Sequence, residues 1–542
     1  MSWRAPGVFS VSLLLAACGD AGGSTQGGTS DGDGTSGDAS AATADPSSGA
    51  ASETSATSEA SDAGGSASAP TTTGDGTGDD TGSSGTTGED GFGPGPWDQG
   101  VYIPDEPQKD GDPALGYEAL LTKGYVSCGV PWGLWPLVKP FIGGWADRPP
   151  LPGRTGKNAE VPYHWNVHSK NGADIVSQNC LQCHAGSFNG QLIVGLGTAD
   201  FDFTDDISQM FANVWIPDIP IPGLEEFTRF LNRTKALGPA TVMHTVGTNP
   251  AEIIAVTLVA HRDRHTLEWF DELQYPVPEM VVASDPPPWW RAKKKHALFY
   301  NGMARGDHRG TMMLASALCT DSVAEAEQID GYFHHIQAFI RSVQAPKYPL
   351  AIDAALASAG EGVFLANCAG CHGTYAADDA QDTYPNLLFP LDVIGTDPVV
   401  ATAGTEYAPY LVDWYNESWY GQITRMEPGE PFPGYMAPPL DGVWATGPFL
   451  HNGSVPTIEL VLDSTRRPKY WKRVDYDSTH FDEDALGWPF VELPYGQIGA
   501  PEDERKFVYD TTFIAHANTG HTFGDHLTPE QRRAVLEYLK TL

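Results

Sequence analysis

The clearest periodic pattern lies at the end of the chain. Val535, Tyr538, Leu539 and Leu542 recur at i, i+3, i+4 and i+7, the spacing of one apolar helix face. Just before them, Thr528-Pro529-Glu530-Gln531 carries an N-cap, a first-turn proline and a capping-box glutamine, so a closing helix is predicted. A second stripe, Ile329, Phe333, Ile336 and Ile340, follows the capping box Ser322-Val323-Ala324-Glu325 and predicts a helix running towards Val343. Ala345-Pro346 and Tyr348-Pro349 then break the chain. Residues 359–367 lead into Cys368 with helical spacing, and Gly172-Ala173-Asp174-Ile175-Val176 is expected to lead into Cys180 in the same way. The expected fold class is therefore mainly α.

The N-terminus differs. Arg4, a short apolar run ending in Leu13-Leu14-Leu15, and Ala16-Ala17 before Cys18 predict a signal peptide over 1–17, with Cys18 lipidated as in a bacterial lipobox. The run is too short to span a bilayer. Residues 18–95 lack apolar periodicity and are nearly all Gly, Ser, Thr, Ala and Asp, which predicts a disordered tether spanning about 50 Å. The stretch carries 13 acids and no base, part of a net charge of −37. The acidic balance persists beyond it and argues against a nucleic-acid partner. What remains is too long for one usual core, so two domains are expected, 96–345 and 346–542, divided at the proline breaks. The expected location is a membrane-anchored bacterial lipoprotein, periplasmic or cell-surface.

Seven cysteines sharpen the picture. Four form Cys180-Leu181-Gln182-Cys183-His184 and Cys368-Ala369-Gly370-Cys371-His372. In C-x-x-C-H, two thiols add to the vinyl groups of one porphyrin and the adjacent imidazole ligates iron. Neither site has the βαβ surroundings of a thioredoxin, and a structural zinc needs four ligands closed on one ion. Two covalently bound haem c groups are expected, with His184 and His372 as proximal ligands. Cys128 and Cys319 remain, and a disulfide suits an oxidising compartment.

The segment Thr446-Gly447-Pro448-Phe449-Leu450-His451-Asn452-Gly453-Ser454 resembles one of the dihaem cytochrome c peroxidase and MauG superfamily. Gly442-Val443-Trp444-Ala445 before it, Val455-Pro456 after it, Asn518–Gly524 and Glu537–Lys540 look most like the branch of dihaem rubber oxygenases. The resemblance implies two cytochrome c-like haem domains with long loop-rich insertions. One haem carries two protein ligands and passes electrons. The other stays open to peroxide or oxygen. Residue by residue, His521 becomes the second ligand opposite His372, with Met436 as the alternative. His451 braces the haem, and the carbonyls of Thr446 and Pro448 help hold a calcium for which no third ligand matches.

Residues 286–308 concentrate aromatic, glycine and ionisable side chains, as a loop-built pocket would. Trp290 is the candidate electron relay, unless Trp289 and Trp290 are plain core. Arg305 and His308 are candidates for assisting O–O cleavage, with the alternative that Arg305 binds a propionate and pairs with Asp307. Lys293-Lys294-Lys295 reads as a solvated face. Three functions follow: a peroxidase-like enzyme, an oxygenase cleaving a hydrophobic polymer such as polyisoprene, or a non-catalytic electron carrier. The partners expected are a donor or acceptor protein, a small oxidant, and the membrane through the anchor.

Overall fold

In a computed structural model, residues 94–141, 148–211 and 221–542 are described. The signal peptide, Cys18 and nearly all of the expected tether lie outside these residues.

The closing helix spans Pro529–Leu539, where Thr528 Oγ1 accepts from Gln531 N at 3.3 Å and Gln531 Oε1 accepts from Thr528 N at 2.9 Å. It packs on the helix Ala354–Asn367 that leads into Cys368. The approach requires a glycine, because a Cβ on Gly360 would lie 1.9 Å from the Ala534 carbonyl oxygen. Gly360→Val is therefore expected to force the helices apart and cost about 1–3 kcal/mol, read as a lower urea midpoint with unchanged slope. Around this pair a core forms from Phe364, Trp444, Val455, Ile458 and Val535, joined by Phe188, Leu196 and Trp290 from before residue 345.

The second predicted helix spans Val323–Ser342 and packs on Pro113–Thr122. Its stripe is buried as expected, but the capping box is offset. Ser322 accepts from Glu325 N, while the Glu325 carboxylate reaches Asp321 N at 2.8 Å instead of the Ser322 amide. The larger core gathers on this helix and takes Leu411, Trp414, Tyr415, Tyr420 and Met426 from beyond residue 345. Cys128 and Cys319 are joined within it, S–S 2.03 Å.

The mainly α expectation is corrected. Among the described residues 39% are helical and 13% strand, and the strands fall in five small sheets. The clearest departure is at the first C-x-x-C-H. Residues 172–176 belong not to a helix but to a hairpin, Trp165–Lys170 paired with Ala173–Gln178. The turn is Asn171-Gly172, both at positive φ (52° and 78°). That is the Asn-Gly signature of a two-residue hairpin turn, which outweighed the helical reading of a short apolar run. A second hairpin, Ala185–Phe188 with Gln191–Val194, follows the motif and turns at Asn189-Gly190. Among the described residues no helix is long and apolar enough to cross a membrane.

Candidate functional site

A large cavity opens beside the closing helix pair, with about 1480 Å³ of empty space counting its mouth. Cys368, Cys371, His372 and His521 all line it, against a mainly apolar wall that includes Phe364, Phe389, Val393, Leu440 and Val461. The rings of His372 and His521 lie 6.2 Å apart, centre to centre. Two imidazoles binding one metal ion at about 2.0–2.1 Å place their ring centres about 6 Å apart. His372 Nδ1 lies 2.8 Å from the Pro438 carbonyl, which only accepts, so the proton sits there and Nε2 is left for a metal.

The loop bearing His521 is held against its own backbone preference. His521 has φ +45° and donates its N–H to Ile394 O at 2.7 Å. Arg467 clamps the loop by donating to the carbonyls of Asn518, Gly520 and His521 at 2.7, 2.6 and 3.1 Å. Such a conformation costs about 1–3 kcal/mol and persists where the surroundings over-determine it. Burial lowers His372 and His521 to about 4, the nearby His372 and Arg467 adding to the effect on His521. Both imidazoles are thus neutral at pH 7, as metal ligation requires. Burial also pushes the Cys368 and Cys371 thiols up to about 12. A redox-active thiol needs the opposite shift, so thioredoxin-like chemistry finds no support.

Met436 lines the same cavity, but packs in a cluster with Ile103, Ala297 and Leu388. His451 is buried, stacked on Tyr435 at 4.4 Å, with Nε2 3.3 Å from the tyrosine hydroxyl. Burial takes its pKa to about 3, so it is a neutral wall residue. Thr446 and Pro448 line the cavity too, with no cluster of three or more His, Cys, Asp or Glu among the described residues.

At the first motif, Cys180 opens a short turn that Asn179 caps by accepting from Leu181 N at 2.8 Å. Cys180 N donates to Tyr125 Oη at 2.9 Å, and the Asn249 amide lies 3.2 Å from Cys183 Sγ. Burial pushes the Cys180 thiol up to about 11 and His184 down to about 4, the Pro287 carbonyl opposing the latter. Cys180, Cys183 and His184 are half-buried.

The relay candidate divides in two. Trp289, not Trp290, lies against His184, with ring centres 5.3 Å apart. Trp290 is fully buried in the second core and donates its indole N–H to Asp441 O at 2.7 Å. Arg291 then reaches the large cavity. Three consecutive residues therefore connect the two motifs, and the Trp-Trp pair in the sequence was the available signal for Trp289. Arg305 is buried, with its guanidinium donating to the carbonyls of Gly302 and Glu430. Asp307 pairs with Arg309 at 2.7 Å instead of Arg305. His308 is 0% exposed, and burial lowers its pKa to about 4, the neighbouring His296 backbone opposing the shift. The lysine run is not a solvated face. Lys294 bridges Asp382 and Asp441 at 2.7 and 2.6 Å, and Lys295 donates to Phe299 O at 3.0 Å, its pKa lowered by burial to about 8.

Residues 434–472 match the RoxA-like, cytochrome c-like family, a stretch holding Met436, His451 and Arg467. A cytochrome c-like segment implies haem c binding. The uncharacterized protein y4iJ of Sinorhizobium fredii (strain NBRC 101917 / NGR234) is 29% identical over 293 residues, covering 42% of this chain and 47% of that protein. The uncharacterized protein y4iM of the same strain is 29% identical over 238 residues, covering 38% and 52%. The chain spans about half the length of the curated relatives it matches.

Proposed function

We propose that this chain is an exported two-haem c-type oxidoreductase. In this reading Cys368, Cys371, His372 and His521 hold an electron-passing haem, and Cys180, Cys183 and His184 hold the haem that meets peroxide or oxygen. The observation that carries it is the pairing of His372 with His521 at metal-sandwiching distance, in a cavity that also presents both thiols. Bound haem would supply one-electron and oxygen chemistry at iron. The protein supplies position and insulation. Cysteine thiols fix the macrocycle edge, the Pro438 carbonyl orients His372, and Arg467 fixes the loop of His521. Trp289 against His184, with Trp290 and Arg291 following along the chain to the large cavity, provides a route between the sites. The candidate for moving a proton on the bound oxidant is His308, a fully buried and neutral imidazole.

Carbon monoxide is expected to bind one reduced haem per chain, measured optically against a pyridine haemochrome count of two. Binding to neither haem in any redox state would leave only an electron carrier. Turnover of peroxide with a reduced donor, against oxygen uptake with polyisoprene, then divides peroxidase from oxygenase. The RoxA-like match favours keeping the oxygenase as the second reading. Export through a lipid on Cys18 belongs to the same proposal. Cys18→Ser is expected to move the protein from the membrane to the soluble fraction, and a mutant still sedimenting with membranes would remove the anchor.

A further inference from the structure

Between the two cysteine–histidine motifs lies a second, much smaller hollow with about 330 Å³ of empty space. It shares Asp285 and Pro448 with the large cavity. On its other side, Thr248 and Ser284 flank Asn249, the residue in contact with Cys183. Into this hollow projects Arg473, from the strand Tyr470–Arg473.

Arg473 is 6% exposed, and among the described residues it makes no ion pair, while its Nη1 is buried without any hydrogen-bond partner. Its guanidinium rests on the faces of Tyr476 and Trp488, 4.8 and 4.5 Å from the ring centres. Gly247, at φ +91°, lets the backbone pass close, since a Cβ there would lie 3.1 Å from Arg473 Nη2. The nearby acids act on it only at a distance: Asp200 is taken by Arg148 at 2.7 Å, and neither Asp200 nor Asp285 makes an ion pair with Arg473. A guanidinium stays charged at any working pH and carries five N–H donors. Burying it without an acceptor costs several kcal/mol, so the arrangement calls for an anion. The hollow is much smaller than the large cavity, which favours a small anion over a bulky one.

We infer that Arg473 is the receptor for a carboxylate-class anion seated between the two motifs, either a propionate of a bound haem or a free small anion. The propionate source rests on the two-haem reading; the free-anion source does not. The test uses holoprotein carrying Arg473→Gln and Arg473→Lys, with haem counted first. A count other than two would overturn the two-haem reading by itself, and formate titration of the melting temperature would still judge Arg473. With two haems present, Arg473→Gln is expected to lower the potential of one haem by about 59 mV, a tenfold change in its one-electron equilibrium. Arg473→Lys should restore part of the shift. If formate at fixed ionic strength alters neither potential nor melting temperature of the wild type, the carboxylate is the haem's own. If formate stabilises the wild type but not Arg473→Gln, the anion is free. Arg473→Gln matching the wild type in both potentials, in melting temperature and in its response to formate would overturn the inference.

Discussion

A His521→Ala variant is expected to convert one of the two haems from low-spin to high-spin while both remain covalently attached. The ring of His521 is placed 6.2 Å from that of His372 across the cavity, so its removal opens one axial position. Met436→Leu should leave the low-spin signal intact, because Met436 is committed to packing with Ile103 and Leu388. EPR and optical spectra of the two variants make the comparison direct. Carbon monoxide should bind a second haem in the His521 variant, raising the stoichiometry from one to two per chain. A variant that keeps its low-spin signal, set against a Met436 variant that loses it, would exchange the two assignments. Arg467→Gln is expected to give a milder version, with mixed spin states, since the loop at φ +45° would lose three carbonyl contacts.

The second large effect concerns attachment. Cys368→Ser with Cys371→Ser is expected to halve the pyridine haemochrome count and to destabilise the protein as well. An emptied apolar cavity leaves its wall without contacts. Truncating one buried aromatic side chain costs about 3–5 kcal/mol, and a porphyrin fills more space than any side chain, so the loss should be at least about 5 kcal/mol. Chemical unfolding with the intact holoprotein as reference reads this directly. The same pair of changes at Cys180 and Cys183 should also remove one haem while sparing the low-spin signal of the other site. If either double variant retains two haems by mass, the attachment assignment falls.

The helices that flank the second motif were legible because each rule involved is local. Thr528, Pro529 and Gln531 set a start, and Val535, Tyr538 and Leu539 a buried stripe, within a few turns of chain. The first motif was misread for an equally local reason. Asn171-Gly172 and Asn189-Gly190 are hairpin signals, but the apolar run between Ala173 and Val176 is short enough to suit either period. Arg305 shows where local reading stops: its type and neighbourhood suit oxidant chemistry, the carbonyls of Gly302 and Glu430 accept from its Nε and Nη2, and which acceptors a guanidinium meets is a long-range fact.

By itself the sequence determined the chemistry that spacing encodes: two C-x-x-C-H motifs, the residues able to ligate a metal, the start and stripe of the principal helices. These depend on covalent neighbours and on periods of a few residues. Only the tertiary structure decided which groups meet. It set His521 beside His372 across 149 positions of chain, put Trp289 rather than Trp290 on His184, turned Lys294 inward to two aspartates, and left Arg473 buried on two aromatic faces without an ion pair among the described residues. The physical reason is the same in each case. Burial and pairing are settled by how distant segments pack to exclude water, and the free energy of a charged or polar group depends on those segments far more than on its neighbours in sequence.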